Sequence, residues 1–265
     1  MRILLISENY HPEVNALANR STCNARFWSK SEKVTVITCF PNHPTGKIFK
    51  QYAYSKFFIK EVHGNLTILR VWSFISRKDN SYLNFIDYLS FGITSFVVAL
   101  FIKTDIVIGT SPPMPVAFFS VLVAKIKRVK ILLEMRDLWV DSIKELKVTK
   151  SKFIINTLYS IENIMLKNSN KILCTTESIK NKIIRRGINK QKILVRPNGY
   201  SDNSLYQNKI KILIQTKKKY LNILYFGTIG FAQDFNIIFN IAKSFEKKIN
   251  FFIIGNGSQV DQLIN

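Results

Sequence analysis

The sequence is short of acidic residues and cysteines. Among 265 residues, 17 are Asp or Glu and 39 are Lys or Arg, which gives a formal net charge of +22. The three cysteines, Cys23, Cys39 and Cys174, have no metal-ligand or redox spacing, and their odd number argues against a disulfide framework. A reducing compartment is therefore expected. The start MRILLIS, with one basic residue and a short apolar run, is not that of a signal peptide.

Several common nucleotide-binding motifs are also missing. No G-x-G-x-x-G follows the first apolar run, so nicotinamide and flavin dehydrogenases are disfavoured, and no P-loop is present. The positive charge suits an anionic partner, but it is spread along the chain, and a coding bias toward Lys, Ile, Asn and Phe explains it equally well. Nucleic acid is not expected as a partner, because no helix-turn-helix or stacking-aromatic motif accompanies the charge.

Short apolar runs alternate with helix-length segments over most of the chain. Continuous Ile, Leu and Val are typical of strands that are buried on both faces. Strands and helices that alternate in this way predict the α/β class with a doubly wound parallel sheet. The predicted strands are 2–7, 33–39, 66–73, 105–110, 130–135, 171–176 and 192–197, and the predicted helices lie near 16–30, 114–127, 152–168 and 177–187.

The alternation of apolar runs and helix-length segments is interrupted at RPNGYSDNSLYQNK (196–209). It resumes with predicted strands at 221–227 and 249–257. This pattern predicts a first lobe over 1–197, a linker over 198–220 and a second lobe over 221–265. Two strands cannot bury both faces of a sheet, so the chain is expected to be truncated at its C-terminus.

The segment 83–102 is apolar and close to the length that spans a bilayer, although Asp87 and Gly92 interrupt it. A true span is disfavoured, because it would separate two halves of one sheet. Two alternatives remain open: a buried helix of the core, or a helix that lies in the membrane interface.

The stretch ILLEMRDLWVDS (131–142) shows where ligands are expected to bind. In open parallel sheets ligands bind outside the carboxyl ends of the strands, and polar loops follow six of the predicted strands. Here Glu134, Arg136 and Asp137 crowd one strand end. A carboxylate beside a guanidinium can hold a sugar hydroxyl or a leaving phosphate by charge-assisted hydrogen bonds. The structural alternatives are an N-cap role for Asp137 and a core position for Trp139.

Other rim loops carry weaker patterns. The proline-stiffened FPNHPTGK either binds a ligand or is simply a rigid loop, and His11 and His43 have no metal-site spacing, so no metal is expected. The turns FGTIGFAQD (226–234) and IIGNGSQ (253–259) follow consecutive strands. Their glycines would let backbone N–H groups approach a phosphate.

Taken in order, NYHPEVNALANR, CFPNHPTGKI, TSPPMPV, EMRDLWVDS, RPNGY, GTIGFAQ and IIGNGS resemble one branch of the family-four glycosyltransferases, which have the GT-B fold. That branch attaches amino-deoxy sugars, such as N-acetyl-fucosamine or N-acetyl-quinovosamine, in bacterial O-antigen or capsule synthesis. The resemblance runs from Met1 to Asn265, and FPNHPTGK and RDLW are its most specific blocks. It implies a first lobe for the acceptor and a second lobe for the nucleotide sugar.

The resemblance further implies a UDP-sugar donor, transfer with retention of configuration, and neither metal nor cofactor. The implied acceptor is a polyprenyl-diphosphate-linked saccharide at the cytoplasmic face of the plasma membrane, whose anionic surface attracts Lys and Arg. The family's paired-glutamate element, which holds the donor, would lie beyond Asn265. The alternative is therefore an inactive truncated transferase that acts as a membrane- or partner-binding protein.

By the same resemblance, Arg136 and Asp137 are the candidate catalytic residues. The candidate acceptor-side residues are Glu13, Asn15, Arg20, Asn42, His43, Thr45, Lys47, Ser111 and Glu134. The candidate donor-binding residues are Asn198, Gly227, Gly230, Gln233, Gly255, Gly257 and Ser258.

Overall fold

A computed structural model describes residues 1–55, 57–76, 81–199, 221–230, 233–245, 249–257 and 259–264. The chain divides into two compact units, Met1–Asp202 and Asn203–Asn265. Most of the predicted linker, from residue 200 to residue 220, lies outside the described residues, as does Ser258.

The first unit is built on an eight-stranded sheet in the order β3-β4-β2-β1-β5-β6-β7-β8. Every neighbouring pair is parallel except β3 and β4. The strands are β1 (Arg2–Ile6), β2 (Lys33–Cys39), β3 (Phe58–His63), β4 (Leu66–Val71), β5 (Ile106–Ser111), β6 (Lys130–Met135), β7 (Lys171–Cys174) and β8 (Ile193–Val195).

Helices cover both faces of this sheet. Successive residues of a strand point to opposite faces, so each strand contributes side chains to a core on either side of the sheet. Ile3 and Leu5 of β1 share a core cluster with Ala25, whereas Leu4 and Ile6 belong to the larger cluster under the other helices. The predicted α/β class with a doubly wound sheet is therefore confirmed. The helices of this unit are α1 (Ala16–Trp28), α2 (Ser81–Leu100), α3 (Met114–Lys127), α4 (Trp139–Glu145), α5 (Lys152–Asn168) and α6 (Glu177–Arg185), with 3-10 turns at Lys50–Tyr52 and Lys190–Lys192.

The seven strands that were predicted for this lobe are all present, and β3 was missed. Its sequence FIKEVH carries three charged or titratable side chains and only Ile59 is buried, so it lacks the continuous apolar run that identified the others. It pairs antiparallel with β4 at the edge of the sheet, where one face and one side are open to solvent.

Helix α2 packs against α3 along its length, and the two meet closely at Gly92. A Cβ atom at Gly92 would lie 2.6 Å from the Phe119 ring, so only glycine allows this approach. Between Tyr82 and Leu100 the helix is long and apolar enough to cross a membrane by length and composition alone. Its N-terminal end follows β4 and its C-terminal end leads into β5 of the same sheet.

The second unit contains β9 (Leu221–Thr228), α7 (Phe235–Ser244), β10 (Ile249–Asn256) and α8 (Val260–Ile264), in the order expected. The two strands are parallel and in register from end to end. Their backbones approach so closely that a Cβ atom at Gly255 would lie 1.8 Å from the carbonyl oxygen of Gly227. Apolar side chains of this unit, such as Leu224 and Phe226, are exposed.

Candidate functional site

The candidate site of the first unit lies along the carboxyl ends of its parallel strands. Strands β1, β2, β5, β6, β7 and β8 all run in the same direction and end at the same edge. The sequence predicted ligand binding at this edge, because ligands of open parallel sheets bind outside the carboxyl ends of the strands.

Arg136 is the central residue of this edge. Its backbone is held by β5 and by the segment after β7, because its N–H donates to Ser111 O at 2.9 Å and its carbonyl accepts the Thr175 hydroxyl at 3.0 Å. The guanidinium Nη2 donates to Pro112 O at 2.7 Å. Its Nε and Nη1 atoms are buried and find no hydrogen-bond acceptor among the described residues. Burial lowers the pKa of Arg136 to about 10, so the side chain is still a cation at neutral pH.

Two more donors near Arg136 are also unsatisfied. Ser111 is fully buried, and its hydroxyl oxygen makes no hydrogen bond to any described residue. The same is true of Nε of Arg20, one of the charged groups that act on Arg136. Buried polar groups without partners are costly and are rare in folded proteins. These donors can be satisfied by the oxygen atoms of an anion or a sugar.

Glu134 and Arg20 form the acidic and basic parts of the same site. Glu134 is 2% exposed, and its Oε1 lies 3.5 Å from Nη2 of Arg20. Arg20 also donates from Nη1 to Asn198 Oδ1 at 2.7 Å. The structure thus brings together three predicted residues from α1, β6 and the segment after β8. Asn198 was assigned to the donor side, yet it contacts an acceptor-side residue within the first unit.

Glu13 anchors the FPNHPTGK loop instead of facing outward. Its Oε1 accepts the backbone N–H groups of Asn42 at 2.8 Å and His43 at 2.9 Å, and its Oε2 accepts from Asn9 at 2.9 Å. Because Glu13 is 3% exposed, its carboxylate is taken up by these three donors. It is therefore a positioning residue for the loop.

The remaining predicted residues of this region are less involved. Asn15 caps α1 by accepting the N–H of Ala18. His43, Thr45 and Lys47 are exposed, and the Thr45 hydroxyl accepts the N–H of Lys47 at 3.3 Å. Among the residues that the structure describes, no three His, Cys, Asp or Glu side chains group as a metal site.

Two carboxyl groups that the sequence reasoning did not select also lie here. Glu8 follows β1, and its pKa is raised well above the ordinary value by burial first and then by Asp87 and Glu13, while Arg136 opposes the shift. Asp87, on α2, is 9% exposed and accepts the N–H of Ser76 at 3.1 Å. Burial raises the pKa of Asp87 to about 6. Position alone could have pointed to Glu8, since it directly follows a strand; the sequence marked Asp87 only as an interruption of the apolar segment 83–102.

Asp137 lies at the start of α4. Its Oδ1 accepts the N–H of Leu138 at 2.7 Å, and its Oδ2 accepts the Ser142 hydroxyl at 3.1 Å. These contacts correspond to the cap-like alternative, although Leu138 is the formal N-cap residue. Asp137 is exposed, so its carboxylate is also accessible to a ligand. Trp139 is partly buried against the large core cluster.

In the second unit, the predicted donor-binding turn is closed on itself. The Gly230 N–H donates to Gln233 Oε1 at 3.2 Å, so these two residues satisfy each other. A Cβ atom at Gly257 would lie 2.1 Å from the carbonyl oxygen of Ile229. Close backbone packing therefore requires glycine at positions 255 and 257, whether or not these residues also bind the donor phosphate as predicted.

Proteins of known structure share this fold. Sucrose-phosphate synthase from Thermosynechococcus elongatus has a similar structure, with a TM-score of 0.59 and 10% identity over 99% of this chain and 67% of its own. The Anabaena protein HepE, in a complex with UDP and glucose, gives a TM-score of 0.55 and 11% identity over 99% of this chain and 63% of its own. These neighbours are GT-B glycosyltransferases, and at such low identity the likeness shows the fold alone.

One relative is similar in sequence. WcaI of Escherichia coli, whose name describes a glycosyl transferase of colanic acid biosynthesis, is 24% identical over 273 aligned residues. The alignment covers 97% of this chain and 66% of WcaI. The chain thus spans a little under two thirds of the length of that relative. No family model matches the chain.

Proposed function

We propose that the chain is a glycosyltransferase that uses a UDP-sugar in polysaccharide biosynthesis. The observation that carries the proposal is the partly buried, charged Arg136, whose buried Nε and Nη1 find no acceptor among the described residues at the sheet edge where α/β proteins bind ligands. The name of WcaI supports the reaction class, and the UDP bound to HepE supports the donor.

The finer parts of the proposal follow from the resemblance to the family-four branch. The sugar is an amino-deoxy sugar, the acceptor is a polyprenyl-diphosphate-linked saccharide, and the transfer retains the anomeric configuration without a metal or a cofactor. The chain works at the cytoplasmic face of the plasma membrane. O-antigen and capsule are both consistent products.

In this proposal the residues at the sheet edge have separate tasks. Arg136, Arg20 and Ser111 donate hydrogen bonds to the oxygen atoms of the anionic or sugar group that enters the site. Glu134 balances the two cations, and Asp137, exposed beside them, faces the reacting sugar. Glu13 holds the FPNHPTGK loop in place for the acceptor. Gly227, Gly230, Gln233, Gly255, Gly257 and Ser258 remain the proposed donor-binding residues.

The test is sugar transfer by purified protein from radiolabelled UDP-N-acetylhexosamines to a polyprenyl-diphosphate-linked acceptor, measured as label in the organic phase. Arg136→Met should lower turnover by at least about a hundredfold, since a charged donor to a reacting group is lost. Arg185→Met, which removes an exposed arginine from α6, is the matched control. Both variants are first checked for an unchanged melting temperature.

Absence of transfer and of UDP release with every UDP-sugar tested contradicts the proposed activity. Full turnover in Arg136→Met would leave the activity standing and contradict the role given to Arg136. If transfer occurs, the anomeric configuration of the product, read by NMR, decides whether retention holds.

A further inference from the structure

Helix α2 carries a continuous stripe of exposed apolar side chains. Its members recur at three- and four-residue spacing, so they lie on one face of the helix. Phe101, which directly follows the helix, is 84% exposed and extends the stripe. The stripe consists of Tyr82, Phe85, Ile86, Leu89, Ile93, Val97 and Phe101. An apolar surface of this length is unusual on a soluble protein and indicates an interaction site.

The helical layer that contains the stripe consists of α2, α3 and α5, and these helices carry no exposed carboxylate. Helix α3 contains no acidic residue, the only one of α2 is the buried Asp87, and the only one of α5 is the buried Glu162. Helix α2 contains no basic residue, but α3 carries Lys125 and Lys127, and α5 carries Lys152 and Lys167. Lys127 of α3 donates to the carbonyl oxygen of Leu100 at 2.8 Å, which places the basic end of α3 beside the end of the stripe. The exposed charge of this layer is therefore positive.

Aromatic side chains flank α2 on the strand side. The carbonyl of Trp72 accepts the Thr94 hydroxyl at 2.8 Å, and the N–H of Phe74 donates to the Ser90 hydroxyl at 2.8 Å. Trp72 is 42% exposed and Phe74 is 38% exposed. Tryptophan and other amphipathic aromatics are enriched where a protein meets the headgroup region of a bilayer.

We propose that α2 and the adjacent end of α3 form a docking surface for an anionic lipid bilayer, with the stripe buried at the level of the headgroups. An apolar face bordered by lysines and lacking carboxylates fits such a surface. The inference deepens the membrane part of the proposed function, but its test needs no sugar transfer.

Two other occupants fit the surface less well. A second copy of the chain would bring two positive layers together without carboxylates from these helices to pair with them. A transmembrane position is excluded by the packing of α2, because Gly92 lies against Phe119 and the helix connects two strands of one sheet. The helix therefore lies along the membrane plane.

The experiment is flotation of the purified protein with vesicles of phosphatidylcholine alone or with about 30% phosphatidylglycerol, whose anionic headgroup attracts Lys and Arg. The test variant is Ile93→Glu with Val97→Glu; these residues are 46% and 48% exposed. The matched control is Phe27→Glu, which is 66% exposed on α1 at the opposite face of the sheet. A second variant, Phe101→Glu, changes a residue outside the helix and guards against misfolding.

We expect the unchanged protein and Phe27→Glu to float with the anionic vesicles only. The double variant should bind at least about tenfold more weakly, because two buried apolar groups are replaced by charges that the bilayer repels. In a chain with Trp28 and Trp139 replaced by phenylalanine, the fluorescence of Trp72 should shift to the blue on binding. Failure to float, equal loss in Phe27→Glu, or a concentration-dependent dimer that the double variant abolishes would each overturn the inference; the last result would assign the surface to a second copy.

Discussion

Asp141 Oδ1 lies 2.7 Å from Nη2 of Arg186, and this ion pair joins α4 to the residue that follows α6. The Tyr159 hydroxyl donates to the same oxygen at 2.6 Å, and the guanidinium lies 4.9 Å from the centre of the Tyr159 ring. Arg186 also pairs with the buried Glu162. The network holds α4 in place, and α4 begins three residues after Arg136.

Replacing Asp141 with alanine should lower the free energy of unfolding by about 2–3 kcal/mol, because Arg186 and Tyr159 lose a shared, partly buried acceptor. Urea denaturation measures the change. The control is Glu145→Ala: Glu145 lies 4.0 Å from Lys182 and is 73% exposed, and its replacement should change the value by less than about 0.5 kcal/mol. Equal effects of the two variants would contradict a structural role for the network.

Replacing Glu13 with glutamine should loosen the FPNHPTGK loop (residues 40–47). The neutral amide accepts more weakly from Asn42 and His43, and its NH2 group faces the Asn9 amide, which is also a donor. Hydrogen exchange at the amides of Asn42 and His43 should become at least about tenfold faster, a loss of roughly 1.4 kcal/mol in protection. Exchange in β7, far along the sheet, serves as the internal reference. Unchanged exchange at both loop amides would show that Glu13 does not anchor the loop.

The Asp87 carboxyl should make stability depend on pH in the weakly acidic range. Its pKa is raised from 3.8 to about 6 in the folded chain, so the folded state binds the proton more tightly than the unfolded state. Its contribution to stability is therefore greatest below pH 4, is lost as pH rises toward 6, and stays lost above that value.

Asp87→Asn removes this titration, so its unfolding free energy should fall less than that of the unchanged chain between pH 4 and pH 7, by about 2–3 kcal/mol. Urea denaturation of both proteins at the two pH values gives the difference. Asparagine can still accept the N–H of Ser76, which limits other effects. A difference that does not change with pH would contradict the raised pKa.

A side chain at position 255 should disrupt the second unit alone. Gly255→Ala would place a carbon 1.8 Å from the carbonyl oxygen of Gly227, and neither backbone can move without breaking the β9–β10 pairing. Limited proteolysis should then cut within 203–265 and leave a fragment close to Met1–Asp202. Gly199→Ala, where the added carbon meets nothing within 4 Å, should be cut as the unchanged chain is.

The sequence was sufficient to predict nine of the ten described strands, because each of the nine contains a run of apolar residues bounded by turns. β3 was missed because an edge strand does not need such a run, and α4 because seven residues are too short for a helical period to stand out. The crowding of Glu134 and Arg136 at one strand end was visible in one stretch of sequence. The pairing of Arg20 with Glu134 joins residues 114 positions apart, and the approach of Asp87 to Glu8 depends on how α2 packs; neither follows from local sequence.

The backbone of Arg136 is bonded to β5 through Ser111 and to the segment after β7 through Thr175. Its guanidinium reaches its place only when three neighbouring strands have aligned without a slip. A chain that misaligns these strands would misplace the guanidinium at the same moment as it loses its native core. Under the proposed function, the affinity for an anion at Arg136 would therefore report on correct strand alignment, and a bound anion would stabilise the correctly aligned chains over the rest.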